Sequence, residues 1–216
     1  VIALSIKAVL AYLLGSVIGS LVIGRLRGVD IRTMGSGNPG ATNALRTQGM
    51  KVGLTVLIID MFKGWFATGV LAGWPLALGQ PGGPELAAWS APVCGIAVIL
   101  GHLYPVWFGF RGGKGVATFV GAVAGLSSLL LLVFVLTWIT AVILLGFVGF
   151  ASLLGAVAVV IAAAVGNLPA RTPLLAFAVM TTALIVYSHR GNLARMKAGT
   201  EPRAKRLWLF GTRRSG

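Results

Sequence analysis

The sequence predicts an all-α integral membrane protein with seven transmembrane helices. Three observations carry that prediction. Hydrophobic residues make up 57% of the 216 and charged residues only 10%, a balance that no single water-soluble core of this size requires. Apolar runs recur from end to end, and the interval from Gly115 to Ala170 holds no charged residue at all. The 18 Lys and Arg outnumber the four acids (Asp30, Asp60, Glu85, Glu201) for a net charge of +14, and they gather in the polar intervals between the apolar runs.

Taken in order, the first span is read as Ile2–Gly24, the second as Val52–Gly73 and the third as Leu86–Gly101, each an apolar run bounded by polar segments. Span one is read as retained, not as a cleaved signal peptide, because basic residues follow its apolar run more heavily than they precede it. Its Gly15, Ser16, Gly19 and Ser20 form a small-x-x-x-small face, which close helix packing explains. Between the Lys114 loop and His189 there is room for four short spans, near 116–132, 133–149, 151–166 and 172–188, or for two over-long ones, which would make five in all. Four fit bilayer thickness better, and the chain is read as one polytopic domain over residues 1–216.

Sidedness follows from the charges. Segment 25–51 holds five basic residues, segment 102–115 holds Arg111 and Lys114, and the tail holds Arg190, Arg195, Lys197, Arg203, Lys205, Arg206, Arg213 and Arg214. With the N-terminus outside, fifteen of the eighteen fall on one face and the outer segment 74–85 carries none, which places the C-terminus in the cytoplasm. Lys7, Lys63 and Arg171 are the outliers. Nucleic-acid binding is the weaker account of the charge, since the basic residues abut membrane spans and anionic lipid suffices for the tail. Cys94 lies alone in an apolar span, the two histidines are far apart, and no ligand spacing for a metal is present, so no metal and no cofactor are expected.

The polar chemistry lies in three pieces. In "MGSGNPGATNALRTQG" (Met34–Gly49) the Gly, Ser, Asn and Pro content breaks helix, while Thr42, Asn43 and Arg46 read as the opening turn of a new one. Ser36 and Asn38 would then gather with Arg46 at a positive helix end suited to an anion. In "GHLYPVWFGFRGGKGVAT" (Gly101–Thr118) the G-x-x-x-x-G-K-[ST] nucleotide loop is absent, since Gly115 stands where a hydroxyl residue belongs. Gly112, Gly113 and Gly115 nonetheless surround Lys114 with bare backbone N–H groups just before a helix, and a lysine boxed by glycines reads as a phosphate contact. His102 in the same piece reads as a hydrogen-bonded interfacial residue. In "YSHRGNLARMKAGTEPRAKR" (Tyr187–Arg206) His189 and Asn192 stand three apart on a helical turn and point the same way. Asp60 and Lys63, also three apart, lie deep in span two and read as a neutralising structural pair.

"GSGNPGATN", "GHLYPVWFGFRGGKGVAT" and "HRGNLARMKAGTE", in this order and at these separations, closely resemble the bacterial membrane glycerol-3-phosphate acyltransferases that take acyl phosphate as donor, the PlsY family. The resemblance implies seven spans in the bacterial inner membrane, a cytoplasm-facing active site and independence from acyl-CoA and acyl carrier protein. It implies transfer from acyl phosphate to glycerol 3-phosphate, yielding 1-acyl-glycerol 3-phosphate and phosphate. By motif position, Ser36, Arg46, Lys114, His189 and Asn192 resemble the residues that hold glycerol 3-phosphate. Asn38, Thr42, Gly112, Gly113 and Gly115 are similarly placed to meet the acyl-phosphate group and the developing oxyanion. Asn43, Arg195 and Glu201 also fall at substrate-binding positions, although Arg195 and Glu201 could pair merely to shape their loop. The competing class is a transporter of a small anion or phosphate ester, but such proteins place their sites at broken helices near the midplane and often repeat their halves. Here the polar pieces sit at span ends and the two halves do not resemble each other.

Overall fold

The computed structural model describes residues 1–75, 83–166, 168, 170–204 and 207–210 of the chain. Lys205, Arg206, Arg213 and Arg214 of the basic tail, Asn167, and most of the outer segment lie outside the described residues. The described residues are helical with no strand, and they fall into two compact units divided after Ser127.

In the first unit, α1 (Ile2–Gly15) and α2 (Gly19–Leu26) replace the single straight span expected at 2–24 and meet at 46°. The cause is a lysine from another helix. Lys63 Nζ donates to the carbonyls of Gly15 at 3.0 Å and Val17 at 2.8 Å, so the break supplies acceptors to a buried ammonium that would otherwise lack them. The small face of span one does pack closely: a Cβ at Gly15 would overlap the Val98 carbonyl, and one at Gly101 the Tyr12 carbonyl. Glycine thus brings α1 into backbone contact with α5 (Gly83–Leu103).

Between them in sequence lie α3 (Ala41–Gln48) and α4 (Met50–Trp65). The second span runs on from α4 through a π-helical turn, Phe66–Val70, and a 3₁₀ turn, Leu71–Gly73. At its end the Ala72 carbonyl accepts from Lys7 Nζ at 2.6 Å and Ser90 Oγ at 2.8 Å. Lys7, an outlier in the charge pattern, is therefore a buried cap on a helix C-terminus, where a cation is favoured. The unit closes with α6 (Val116–Leu126), packed on α4.

The second unit holds α7 (Ser128–Leu145), α8 (Val148–Val165), α9 (Arg171–Ser188) and α10 (Arg190–Lys197). Four helices, not two over-long ones, occupy the interval after Lys114, but the first break falls at Ser127 instead of near 132. Ser127 is extended (φ −162°, ψ 121°), and Ser127 and Ser128 together supply the small polar residues that favour helix ends. Arg171, another charge outlier, donates from Nη2 to the Ala164 carbonyl near the end of α8. After α10 the chain returns to the α7 C-terminus, where Ala204 N–H donates to Gly146 O at 2.7 Å and Trp208 Nε1 to Leu144 O at 3.1 Å. The Arg203 guanidinium lies 4.0 Å from the Trp208 ring centroid and 4.7 Å from that of Phe147, a cation–π sandwich that holds this return in place.

Among the described residues, five helices or helix runs are long and apolar enough to cross a membrane, and six if α1 and α2 count as one bent span. At 11 residues, α6 is the short one, reaching about 17 Å at 1.5 Å per residue. The protein is a multi-pass membrane protein.

Candidate active site

The first polar piece is built around one buried side chain. Asn43 Oδ1 accepts from the Ser36 N–H at 3.0 Å, and its Nδ2 donates to the Met34 and Ile31 carbonyls at 3.0 and 3.4 Å. Asn43, expected among the substrate-binding positions, is 2% exposed with both ends of its amide engaged. It is the clamp that shapes the loop: it accepts the Ser36 N–H between the Gly35 and Gly37 reversals (φ +56° and +71°) and adds a second donor to the Met34 and Ile31 carbonyls, which already accept the Gly37 and Met34 N–H groups. The groups that face outward are Ser36, Thr42 and Arg46, with Asn38 half-buried beside them. Gly40 caps α3, and the helix opens at Thr42 and Asn43 as expected, so the first-turn amides and Arg46 lie on one short helix.

The segment leading into that piece is tied to the second at Phe108. Arg32 Nη1 donates to the Phe108 carbonyl at 3.3 Å, and the Arg25 guanidinium lies 4.5 Å from the Phe108 ring centroid. Arg32 is itself set by Asp30, 2.8 Å from Nη2. Its side-chain hydrogen bond holds the Asp30 carboxyl below the usual carboxylate range, and the same bond raises the guanidinium.

In the Lys114 loop the glycines act differently from expectation. The Gly112 N–H donates to Leu103 O and the Gly113 N–H to His102 O, both at 3.1 Å. These two amides were expected to face an anion. They are instead spent on the last carbonyls of α5, which have no partner within their own helix. Their lack of a side chain matters for space: a Cβ at Gly112 would overlap the His102 carbonyl, and one at Gly113 the His102 ring at Nε2. Gly115 keeps its expected place, opening α6 from a left-handed φ of +80°, where the first-turn amides and the macrodipole favour negative charge. Lys114, directly before it, is half-buried.

His102 is hydrogen-bonded, as read from the sequence, and it is buried inside the protein. It is 2% exposed, with Nδ1 at 2.9 Å from Lys63 Nζ, 3.1 Å from Thr118 Oγ1 and 3.7 Å from Asp60 Oδ1. Asp60 and Lys63 do pair, at 2.9 Å. No sequence signal joins His102 to them, since 39 residues separate it from Lys63.

The third piece belongs to the second unit. His189 stands at the junction of α9 and α10, 2% exposed, with Nδ1 at 2.8 Å from the Ile185 carbonyl. A carbonyl only accepts, so Nδ1 carries the proton and a neutral ring has its bare nitrogen at Nε2. Asn192 Nδ2 donates to Glu201 Oε1 at 2.6 Å, and Arg195 Nε to Glu201 Oε2 at 2.8 Å. Glu201 thus bridges both, and the Arg195–Glu201 pairing shapes the loop. Gly149 of α8, which nothing in the sequence singled out, leaves the space that Asn192 and His189 fill: a Cβ there would meet Asn192 Nδ2 at 2.9 Å and His189 Cδ2 at 3.3 Å.

A family model described as glycerol-3-phosphate acyltransferase matches residues 5–199. The chain belongs to the glycerol-3-phosphate acyltransferase family. It is 40% identical over 194 residues to a glycerol-3-phosphate acyltransferase of Brucella anthropi, covering 89% of each chain. It is 38% identical over 195 residues to that of Aquifex aeolicus, covering 90% of this chain and 96% of the relative. Crystal structures of PlsY, an integral membrane glycerol 3-phosphate acyltransferase, superpose with TM-scores of 0.81 for the glycerol 3-phosphate form and 0.79 for the lysophosphatidic acid form. Both are 36% identical, with 93% of this chain and 94% of the other covered. The match to the glycerol-3-phosphate acyltransferase family takes in the first two polar pieces whole and the third as far as Gly199, before Glu201 and the return of the chain to α7.

Proposed function

We propose that the chain transfers a fatty acyl group from acyl phosphate to the sn-1 hydroxyl of glycerol 3-phosphate, without acyl-CoA or acyl carrier protein. The observation that carries the reading is in the first unit: a half-buried lysine at the N-terminal end of α6, in a loop joined through Phe108 to Arg25 and Arg32, in the segment that leads into the loop presenting Ser36, Thr42 and Arg46. Two cations and two helix N-termini suit a reaction whose substrates both bear phosphate. Ser36, Arg46 and Lys114 are assigned to glycerol 3-phosphate, and motif position alone assigns His189 and Asn192 to the same substrate. Asn38, Thr42 and the helix end at Gly115 are assigned to the acyl-phosphate group.

In the step itself the sn-1 oxygen attacks the acyl carbon and an ester C–O bond forms. The bond from that carbon to the bridging oxygen breaks, and its electron pair leaves on inorganic phosphate. The hydroxyl proton passes to a phosphate oxygen, whose second pKa of about 6 makes it a competent acceptor. Acyl phosphate is already activated, so the protein's task is to position two anions and stabilise the oxyanion.

The same reading has seven crossings, by α1 with α2, α4, α5, α6, α7, α8 and α9, in the bacterial inner membrane, with the N-terminus outside and the polar pieces cytoplasmic. The clustering of fifteen of the eighteen basic residues supports it. Single cysteines at Glu85 and Thr42 in a Cys94→Ala background test sidedness, and labelling of both from one side would overturn it. For the chemistry, purified protein is given labelled glycerol 3-phosphate and synthetic acyl phosphate. Labelled lysophosphatidic acid is expected, and product from acyl-CoA but not from acyl phosphate would overturn the donor assignment.

A further inference from the structure

We infer that His102 is the positioning residue of the Lys114 loop, oriented by the buried Asp60–Lys63 pair; the inference deepens the acyl-transfer reading and rests on it. Lys63 carries only protons to offer, so the His102 Nδ1 at 2.9 Å from its Nζ is the bare nitrogen. The proton of the neutral ring therefore sits on Nε2. That edge is the one against Gly113, where a Cβ would overlap Nε2 and lie 3.2 Å from Cδ2. The same residue's carbonyl accepts the Gly113 N–H, and the next carbonyl, Leu103 O, accepts that of Gly112, each at 3.1 Å. Main chain and ring of His102 thus grip the residue immediately before Lys114 from two directions.

The ring is held in its turn. Lys63 Nζ contacts Asp60 Oδ1 at 2.9 Å and the two carbonyls at the α1–α2 break, so its position is set by three groups besides His102. Thr118 Oγ1, from the first turn of α6, lies 3.1 Å from the same Nδ1. Asp60 Oδ2 is the one buried side-chain polar atom among the described residues without a hydrogen-bond partner. A carboxylate with half its acceptors idle is a costly way to build a core. Its charge is what permits an ammonium at this depth, and that ammonium fixes the ring that seats the loop. Every contact in this chain of support lies within the first unit, and none involves a substrate-facing side chain.

The test uses the exclusion between ring and Cβ. Gly113→Ala and His102→Ala, each in the full-length protein, are expected to lose about 10²-fold in kcat/KM for glycerol 3-phosphate, the scale of a 1 Å misplacement. In the double variant the methyl group occupies space the ring has left, so the loss is expected to stay near about 10²-fold, where independent sites would multiply to about 10⁴-fold. Multiplied losses would overturn the inference. Should His102→Ala fail to fold, His102→Asn keeps an acceptor for Lys63 while removing the ring, and the same suppression of Gly113→Ala is expected. A second readout needs no turnover: a cysteine at the exposed Arg111, in a Cys94→Ala background, is expected to react faster with a water-soluble maleimide when His102 is replaced. Unchanged labelling would overturn the inference even if acyl phosphate were not the donor, and the donor assay on the parent protein separates the two failures.

Discussion

Replacing Asp60 by Asn isolates the energetics of a charge pair buried in a membrane helix. Lys63 and Asp60 side chains are 3% and 0% exposed and 2.9 Å apart, so neither is screened by water. Removing the carboxylate leaves the ammonium with two carbonyls and a histidine nitrogen but no counter-charge. Breaking a buried pair from one side costs about 3–5 kcal/mol. Lys63→Met leaves the opposite orphan and also strips the Gly15 and Val17 carbonyls of their donor, so it is expected to cost at least as much. The double variant Asp60→Asn/Lys63→Met bears no charge, and what remains is chiefly the two carbonyls, at about 1–3 kcal/mol each when left unsatisfied. The two singles are therefore expected to sum to more than the double, by about 4 kcal/mol at the middle of these ranges. SDS-titrated unfolding in mixed micelles, followed by tryptophan fluorescence, measures all three. An additive cycle, or an Asp60→Asn cost below about 1 kcal/mol as for a solvated surface pair, would refute the reasoning.

Lys114→Ala is expected to abolish turnover in folded protein, and Lys114→Arg to remain severely impaired because a planar fork does not replace a compact ammonium; steady-state assay of each decides. Gly101→Leu should force α1 off α5, where even a Cβ would overlap the Tyr12 carbonyl, with at least the about 1–3 kcal/mol of overpacking read as lost thermal stability. Asp30, held low chiefly by the Arg32 hydrogen bond, contributes stability that is complete above the usual carboxylate pKa and is lost as pH falls through its lower folded value. Asp30→Asn should flatten the pH dependence of stability below about pH 4, and an unchanged acid limb would remove the pair from the account. His189→Asn is expected to raise the glycerol 3-phosphate KM while leaving measurable kcat and the same pH–rate profile. A kcat fall of about 10²–10⁴ with loss of the limb near neutral pH would instead make His189 the general base.

The three polar pieces could be read from sequence because each breaks a local rule: glycine and proline inside a helical chain, a lysine among glycines, basic residues at span ends. The Asp60–Lys63 pair was legible for the same reason, since three residues along a helix is a contact. What could not be read depends on partners far off in sequence. Span one bends where it does because Lys63, more than forty residues on, takes its freed carbonyls, and a small-residue face alone gives no hint of a break. Gly112 and Gly113 carry the right composition for an anion nest, but whether an amide faces solvent or a neighbouring carbonyl is decided by how tightly the chain reverses after α5. The reversal here is tight enough to consume both. The misreading of Asn43 has the same origin, since a polar residue on an opening helical turn looks like a ligand until the loop before it folds back onto it. Backbone hydrogen-bond demand, which every reversal in a membrane protein must satisfy internally, therefore claims part of the polar inventory before any substrate does. Of the candidate site side chains in the first unit, it leaves Ser36, Thr42 and Arg46 exposed and Asn38 and Lys114 half-buried, and these are the side chains on which the acyl-transfer reading relies for its acceptor and donor contacts there.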